Sequence, residues 1–229
     1  MKLAVAIMVK QPQAGGVKTR LCPPLRPEQA ADLYHCFLVD KMAQVRRAAA
    51  AARYLAYTPP EAEGFFRELA GEGFSLIPQE GEGLGSRLAS LAARLLAVGH
   101  PAAVIIDSDT PSLPDRFLVE AVSLLRGGRV DAVFGPAEDG GYYLVGLRRP
   151  APSLFEDIAW STASVLDQTL ARVAAAGLTV RLIPAWYDVD TGPDLERLRR
   201  DLARNGTAAE QTRAFLRDLR IQGPPRSLA

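Results

Sequence analysis

The sequence predicts a doubly wound α/β domain with a mostly parallel sheet and one antiparallel strand. Three observations carry this. Short apolar runs alternate with helical-period segments nearly to the end of the chain. The run Ala102–Ile106 is apolar throughout, as a strand covered on both faces of a parallel sheet should be. The strand-like runs Ala132–Phe134 and Tyr142–Leu147 lie too close for a helical crossover, so one of them should run antiparallel. A chain of 229 residues, 48% hydrophobic and 23% charged, suits one such domain with a sizeable core. No repeat, linker or break in composition divides it. The domain is expected over residues 1–222, followed by a loose polar tail at 223–229.

The elements follow in order. Leu3–Val9 is the first strand. Pro27 suits the first turn of a helix reaching about Ala52, with Ala30, Leu33, Phe37, Leu38 and Met42 at helical spacing and Ala48–Ala52 as its end. Tyr54–Tyr57 is a strand stopped by Pro59-Pro60, Glu61–Ala70 a helix, and Phe74–Pro78 a third strand. Leu84–Val98 is a helix entered through a glycine-containing turn, and it leads into the apolar run Ala102–Ile106. Pro114–Leu125 is a helix before the antiparallel pair. Ala163–Ala176 is a helix and Thr179–Ile183 a strand. Helices at Pro193–Arg204 and Ala208–Leu219 close the fold.

Composition excludes some functions. A net charge of +1 argues against a large nucleic-acid or anionic-membrane footprint. No stretch is long and apolar enough to span a bilayer, and the first apolar run is too short for a secretory signal. Cys22 and Cys36 form no metal-binding spacing with each other or with His35 and His100, and they fit reduced thiols in a cytoplasmic protein.

Ligands of such sheets bind beyond the carboxyl ends of the strands, so the segments there carry the functional reading. The first strand discharges into Lys10-Gln-Pro-Gln-Ala-Gly-Gly-Val-Lys18-Thr-Arg20. Gly15 and Gly16 let backbone N–H groups approach an anion, and Lys10, Lys18 and Arg20 can neutralise phosphate. Only four of the 27 basic residues are lysines, and two of the four stand in this loop. The loop is neither a P-loop nor a dinucleotide fingerprint, because Val17 precedes Lys18 and Gly15-Gly16 does not supply G-x-G-x-x-G. The phosphate reading is the first one here, and an ordinary surface turn with solvated cations is the alternative.

The run Ala102–Ile106 ends in Asp107-Ser-Asp109-Thr-Pro-Ser-Leu-Pro. Two carboxylates there are costly without a partner, and Mg²⁺ or Mn²⁺ is the natural one. Capping of the next helix by Asp109 or Ser112 accounts for one carboxylate and not both. Asp188-Val-Asp190-Thr forms a second acidic pair, in which Thr191 or Asp190 is alternatively a helix cap. In Glu138-Asp139-Gly140-Gly141-Tyr142, the carboxylates stand at the mouth of the sheet and the glycines permit close approach of a ligand; a plain acidic turn is equally compatible. Trp160 is a core anchor or a stacking wall, and Ser161 or Thr162 is a good N-cap. The segment from Gln79 through Gly85 to Arg87 either meets a nucleobase edge or is a flexible turn.

Lys10–Leu21, Ile106–Leu113, Gly135–Leu147, Trp160–Leu166 and Asp188–Leu195 together resemble the DUF2064 transferases. That family is often described as glycosyltransferases linked to arsenosugar biosynthesis, or as radical-SAM/selenodomain-associated transferases. It is related to the nucleotide-diphosphosugar transferase (GT-A) superfamily, which includes the molybdenum-cofactor and phospholactate guanylyltransferases. The resemblance covers most of residues 1–200 and implies a GT-A-like fold. It implies that Lys18 and Arg20 meet nucleotide phosphates, that Asp109 binds the metal, and that Asp190 supports it. The family usually carries Gly where this chain has Asp107, which creates an Asp-x-Asp pair and leaves open which carboxylate touches the ion.

The expectation is therefore a Mg²⁺- or Mn²⁺-dependent transferase taking a nucleotide or nucleotide-sugar donor and a small-molecule acceptor. Lys10, Gly15, Gly16, Lys18, Arg20, Gln79, Gly85, Arg87 and Asp107 form the nucleotide side. Asp107, Asp109 and Asp190 form the metal set. Asp139, Gly140, Gly141, Tyr142, Trp160, Ser161 and Thr162 form the acceptor side. Lys18 and Arg20 stabilise the leaving group, and Asp139 serves as base. Glycosyl transfer is the first reading. Transfer of NMP from an NTP to a phosphorylated small molecule is the alternative, and a nucleotide-binding domain without turnover is the third.

Overall fold

The computed structural model of the protein describes residues 2–204 and 209–219. Its strands are β1 (Ala4–Lys10), β2 (Ala52–Thr58), β3 (Ser75–Pro78), β4 (Ala103–Ile106), β5 (Ala132–Pro136), β6 (Tyr142–Leu147) and β7 (Val180–Leu182). Its helices are α1 (Pro27–Ala48), α2 (Glu63–Ala70), α3 (Gly83–Ala97), α4 (Asp115–Arg126), α5 (Val165–Ala175), α6 (Gly192–Arg204) and α7 (Glu210–Asp218). The strands form one sheet in the order β3-β2-β1-β4-β6-β5-β7. Every pairing is parallel except those of β6, which runs antiparallel to both β4 and β5. Among the described residues no helix is long and apolar enough to cross a membrane.

Alternation along β1 shows how the sequence builds the layers. Leu3, Val5, Ile7 and Val9 enter the larger core, with Phe37 of α1 and Leu118 of α4. Ala4 and Ala6 face the opposite core, with Leu88 and Leu91 of α3 and Val173 of α5. Period-2 alternation places successive side chains on opposite faces. Each fully buried Val, Leu or Ile contributes about 1.5–3 kcal/mol, so register is strongly specified here.

The elements match the sequence expectation in kind and order, with shifted ends. Ala48–Ala52 is not the end of α1: the helix stops at Ala48, and Ala52 opens β2 opposite Ala4. Alanine's helix preference yields there to a seven-residue parallel register with β1. The helix expected from Ala163 begins at Val165, with Ser164 rather than Ser161 or Thr162 at the N-cap. The tail at 223–229 and residue 208 of the last expected helix lie outside the described residues.

The chain runs from β1 outward through β2 and β3, then returns to place β4 on the other side of β1. The reversal makes the carboxyl ends of β1 and β4 a topological switch point, where open α/β sheets leave a crevice. The cationic loop leaves β1 there and the Asp107–Asp109 segment leaves β4.

Candidate active site at the switch point

The loop after β1 folds back on itself. Gly15, at φ +75°, turns the chain so that Gly16 N–H donates to Gln13 O at 2.9 Å. Lys10 Nζ closes the loop onto Gly16 O at 2.8 Å. Lys18 stands in the left-handed region at φ 49°, which non-glycine residues seldom adopt. Its side chain is only 5% exposed; Nζ bonds Asp109 Oδ1 at 2.7 Å and Asp190 Oδ1 at 2.8 Å. The rings of Tyr34 and Phe37 lie within 6 Å of that nitrogen, at 5.9 and 5.8 Å. Burial alone disfavours the ammonium, but the two carboxylates outweigh it and hold Lys18 protonated well above the usual lysine range. Arg20, on the surface, reaches Asp190 Oδ2 at 2.5 Å. Burial opposes ionisation of Asp190, yet Lys18 and Arg20 prevail and keep its carboxyl below the ordinary range. Lys10, Gly16, Lys18, Arg20, Asp109 and Asp190 line one hollow of about 270 Å³.

Neither acidic pair is spent on capping. The N-cap of α4 is Pro114, without a side-chain bond. At α6, Asp194 Oδ2 accepts from the N–H groups of Asp190 and Thr191 and from the Thr191 hydroxyl. The Asp190 side chain is thereby left to the cations.

The expected metal set is divided. Asp109 and Asp190 grip Lys18, whereas Asp107 turns to Asp188. Among the described residues no group of three or more His, Cys, Asp or Glu side chains is arranged to hold a metal ion. Asp188 was legible as half of an acidic pair but entered no site, and the structure sets its carboxyl against Asp107 with a hydrogen bond between them. Burial raises both carboxyls and the mutual charge raises Asp188 further, so the pair keeps a proton between its members. Asp107 Oδ1 also accepts from the Thr110 hydroxyl at 2.6 Å. Asp188 Oδ1 is buried without a hydrogen-bond partner.

A second hollow of about 220 Å³ shares Asp109 with the first. Met8, Leu84, Leu88, Ile105 and Tyr142 give it apolar walls, with Asp107 also on its lining. Several residues of the expected nucleotide side also make bonds or close contacts within the chain. Gln79 Nε2 donates to the carbonyls of Val9 and Ala56 at 3.1 and 2.8 Å, tying the end of β3 to β1 and β2. Arg87 Nε closes its own loop on Gly81 O at 3.1 Å. A Cβ on Gly85 would stand 2.5 Å from Phe155 O and 2.9 Å from Trp160 Nε1, so this glycine serves helix packing.

The β5–β6 turn is similar. Asp139 Oδ1 accepts from Gly141 N–H at 2.9 Å, and Glu138 makes a two-pronged pair with Arg197 at 2.5 and 2.9 Å. The expectation that Gly140 clears space for a ligand is corrected. At φ +93° its added Cβ would meet Ala163 O at 2.1 Å, so the glycine admits the chain's own backbone. Gly140→Ala is expected to lower unfolding stability by about 1–3 kcal/mol through strain and overpacking, read by urea denaturation; an unchanged midpoint would contradict this tight approach. Trp160 packs edge-on to Tyr142 with centroids 6.3 Å apart, the core-anchor reading of that residue. Thr162 Oγ1 donates to Ala159 O at 2.7 Å, and Ser161 has φ 64°.

No curated protein matches the sequence. A crystal structure from Desulfovibrio desulfuricans G20, provisionally assigned as a nucleotide-diphospho-sugar transferase, is 32% identical, with 95% of each chain covered and a TM-score of 0.87. CMP:2-keto-3-deoxy-manno-octonic acid synthetase in complex with CTP is 15% identical over 90% of this chain and 100% of that one, with a TM-score of 0.56. The 4-diphosphocytidyl-2C-methyl-D-erythritol synthase of Anaerococcus prevotii DSM 20548 is 12% identical over 89% and 99%, with a TM-score of 0.57. The last two share the fold alone. The family described as uncharacterized proteins conserved in bacteria (DUF2064) matches residues 41–162, from the middle of α1 to the turn before α5. That span contains the β4 carboxylates and the β5–β6 turn, and with the near full-length relative it places this chain in the DUF2064 family, on the fold of the nucleotide-diphospho-sugar transferases.

Proposed function

We propose that the protein is a transferase with a nucleotide donor, and that it transfers a glycosyl group from a nucleoside diphosphate-sugar. The observation that supports this best is the hollow lined by Lys10, Lys18 and Arg20, where Lys18 and Arg20 meet the carboxylates of Asp109 and Asp190. Lys18 spends two of its three N–H donors on Asp109 and Asp190, leaving one for a phosphate oxygen. In the transfer, the bond between the sugar's anomeric carbon and the diphosphate breaks and a bond from that carbon to an acceptor oxygen forms. The cations stabilise the charge that collects on the departing diphosphate. Asp139, with one oxygen fixed by the Gly141 N–H, takes the acceptor's proton.

Carboxylate oxygens suit Mg²⁺ or Mn²⁺, and because no three acidic side chains converge on one metal position among the described residues, the rest of the coordination would come from the donor's phosphate oxygens. Asp107 and Asp109 would hold the ion next to Asp188. When bound, it would add positive charge against the leaving diphosphate. Nucleoside diphosphates are expected to raise the melting temperature more with Mn²⁺ than with EDTA, and Asp109→Ala to remove the difference. Equal stabilisation in both conditions would contradict a metal-bridged site. Asp107 and Asp188 would have to give up their shared proton to hold a cation. Mn²⁺ affinity measured by calorimetry should therefore rise from about pH 6 to about pH 8, and a flat profile would count against that pair.

The cytidylyl-type enzymes that share the fold favour a second reading, transfer of NMP with release of pyrophosphate. Incubation of donor panels with hydroxyl and phosphorylated acceptors separates the two. Acceptor-dependent release of a nucleoside diphosphate from a nucleotide-sugar supports glycosyl transfer, and acceptor-dependent pyrophosphate from an NTP overturns it.

A further inference from the structure

Lys41 lies on the apolar face of α1, one turn beyond Phe37, and is 1% exposed. Burying an ammonium costs several kcal/mol unless its donors are satisfied and charges oppose it. All three donors are used: Nζ bonds Gln44 Oε1 at 3.1 Å, Thr110 O at 2.8 Å and Thr110 Oγ1 at 2.8 Å. Because that hydroxyl accepts from Lys41, its own proton is directed elsewhere, and Thr110 Oγ1 donates it to Asp107 Oδ1 at 2.6 Å. Gln44 extends the clamp along the same loop, donating to Leu113 O and to Asp115 Oδ1. Two side chains of one helix thus hold the segment that follows β4.

We propose that Lys41 is a positioning residue of the carboxylate site, acting through the Thr110 hydroxyl to fix one oxygen of Asp107 and leave the rest of that carboxylate to Asp188 and to a ligand. The neighbouring charges agree. Burial pulls the Lys41 ammonium down to about 8, while Asp107, Asp188, Asp109 and Asp115 favour keeping its proton. In turn, Lys41 is the main charge opposing the rise that burial imposes on Asp107. A methionine would fill a similar volume without the desolvation cost but could bond neither oxygen of Thr110, so the role of the lysine lies in the bonds its ammonium makes.

The part of this inference that concerns ligand rests on the nucleotide-site reading above. Thr110→Val removes the relay and keeps the shape, Thr110→Ser keeps the hydroxyl, and Lys41→Met removes its source. The first readout is the crystal structure of Thr110→Val without ligand, in which the Asp107 carboxylate is expected to rotate away from its present orientation. The second is the affinity for GDP, UDP and CDP with Mn²⁺. It should fall about 10- to 100-fold in Thr110→Val and Lys41→Met and stay within about threefold of the parent in Thr110→Ser. An unmoved Asp107 in Thr110→Val overturns the proposal. So does parent-like binding by that variant, or a loss in Thr110→Ser as large as in Thr110→Val. If the parent binds none of the three nucleotides, the nucleotide reading fails, and the Thr110→Val structure still decides the role of Lys41.

Discussion

Lys18→Ala should weaken binding of a nucleoside diphosphate by about 1.5–3 kcal/mol, the range for a lost bond to a charged group, or roughly 10- to 150-fold in Kd. Two effects combine in that loss. One N–H donor to phosphate disappears, and Asp109 and Asp190 stand beside the phosphate site without the ammonium that now neutralises them. The same change should tighten binding of Mn²⁺ alone, since the ion no longer competes with Nζ for Asp109. The parent's nucleotide affinity should also fall with added salt, and the salt dependence should flatten in the variant. Calorimetric titrations of both proteins with GDP, UDP and CDP test this. If Lys18→Ala binds like the parent, the loop is not the phosphate site.

The second large effect is expected at Asp139. Asp139→Asn retains an oxygen that can accept from Gly141 N–H, so the turn is kept, while the carboxylate that would take the acceptor's proton is lost. With Asp139 as base, kcat should fall about 10²-fold or more while donor affinity stays nearly unchanged. A variant with kcat close to the parent's would instead leave Asp139 only the role of holding the turn through the Gly141 N–H bond. The outcome separates roles that the hydrogen bond by itself combines.

Much of this architecture was legible because burial leaves a periodic trace. Ala102–Ile106 has the unbroken apolar character of a doubly covered strand, and the short gap before Tyr142 called for one antiparallel strand, which is β6. Helix ends were less legible, since Ala48–Ala52 reads as helix until β1 claims Ala52 as a partner. In the site, Lys18, Arg20, Asp109 and Asp190 announced themselves as charges next to strand ends, and the fold brings all four into one hollow. Gly85 and Gly140 did not reveal their roles, because a glycine that admits a ligand and one that admits a neighbouring backbone look alike in sequence. Gln79 likewise carries a polar amide whose partners, two strand carbonyls, are set only by the assembled sheet. Asp188 was hidden by its neighbour: a two-residue shift decides which carboxylate meets Lys18 and which meets Asp107. Lys41 did leave a signal. It is one of only four lysines, and it falls on the stripe that Phe37, Leu38 and Met42 define as apolar.

The most direct test of a nucleotide site at the switch point is a crystal structure of the protein grown with Mn²⁺ and a nucleoside diphosphate that raises its melting temperature. The expected result is a diphosphate in the hollow between residues 16–20 and Asp109, with Lys18 Nζ bonded to a phosphate oxygen. Density for the nucleotide elsewhere on the protein, with Lys18 still held by Asp109 and Asp190 alone, would contradict it.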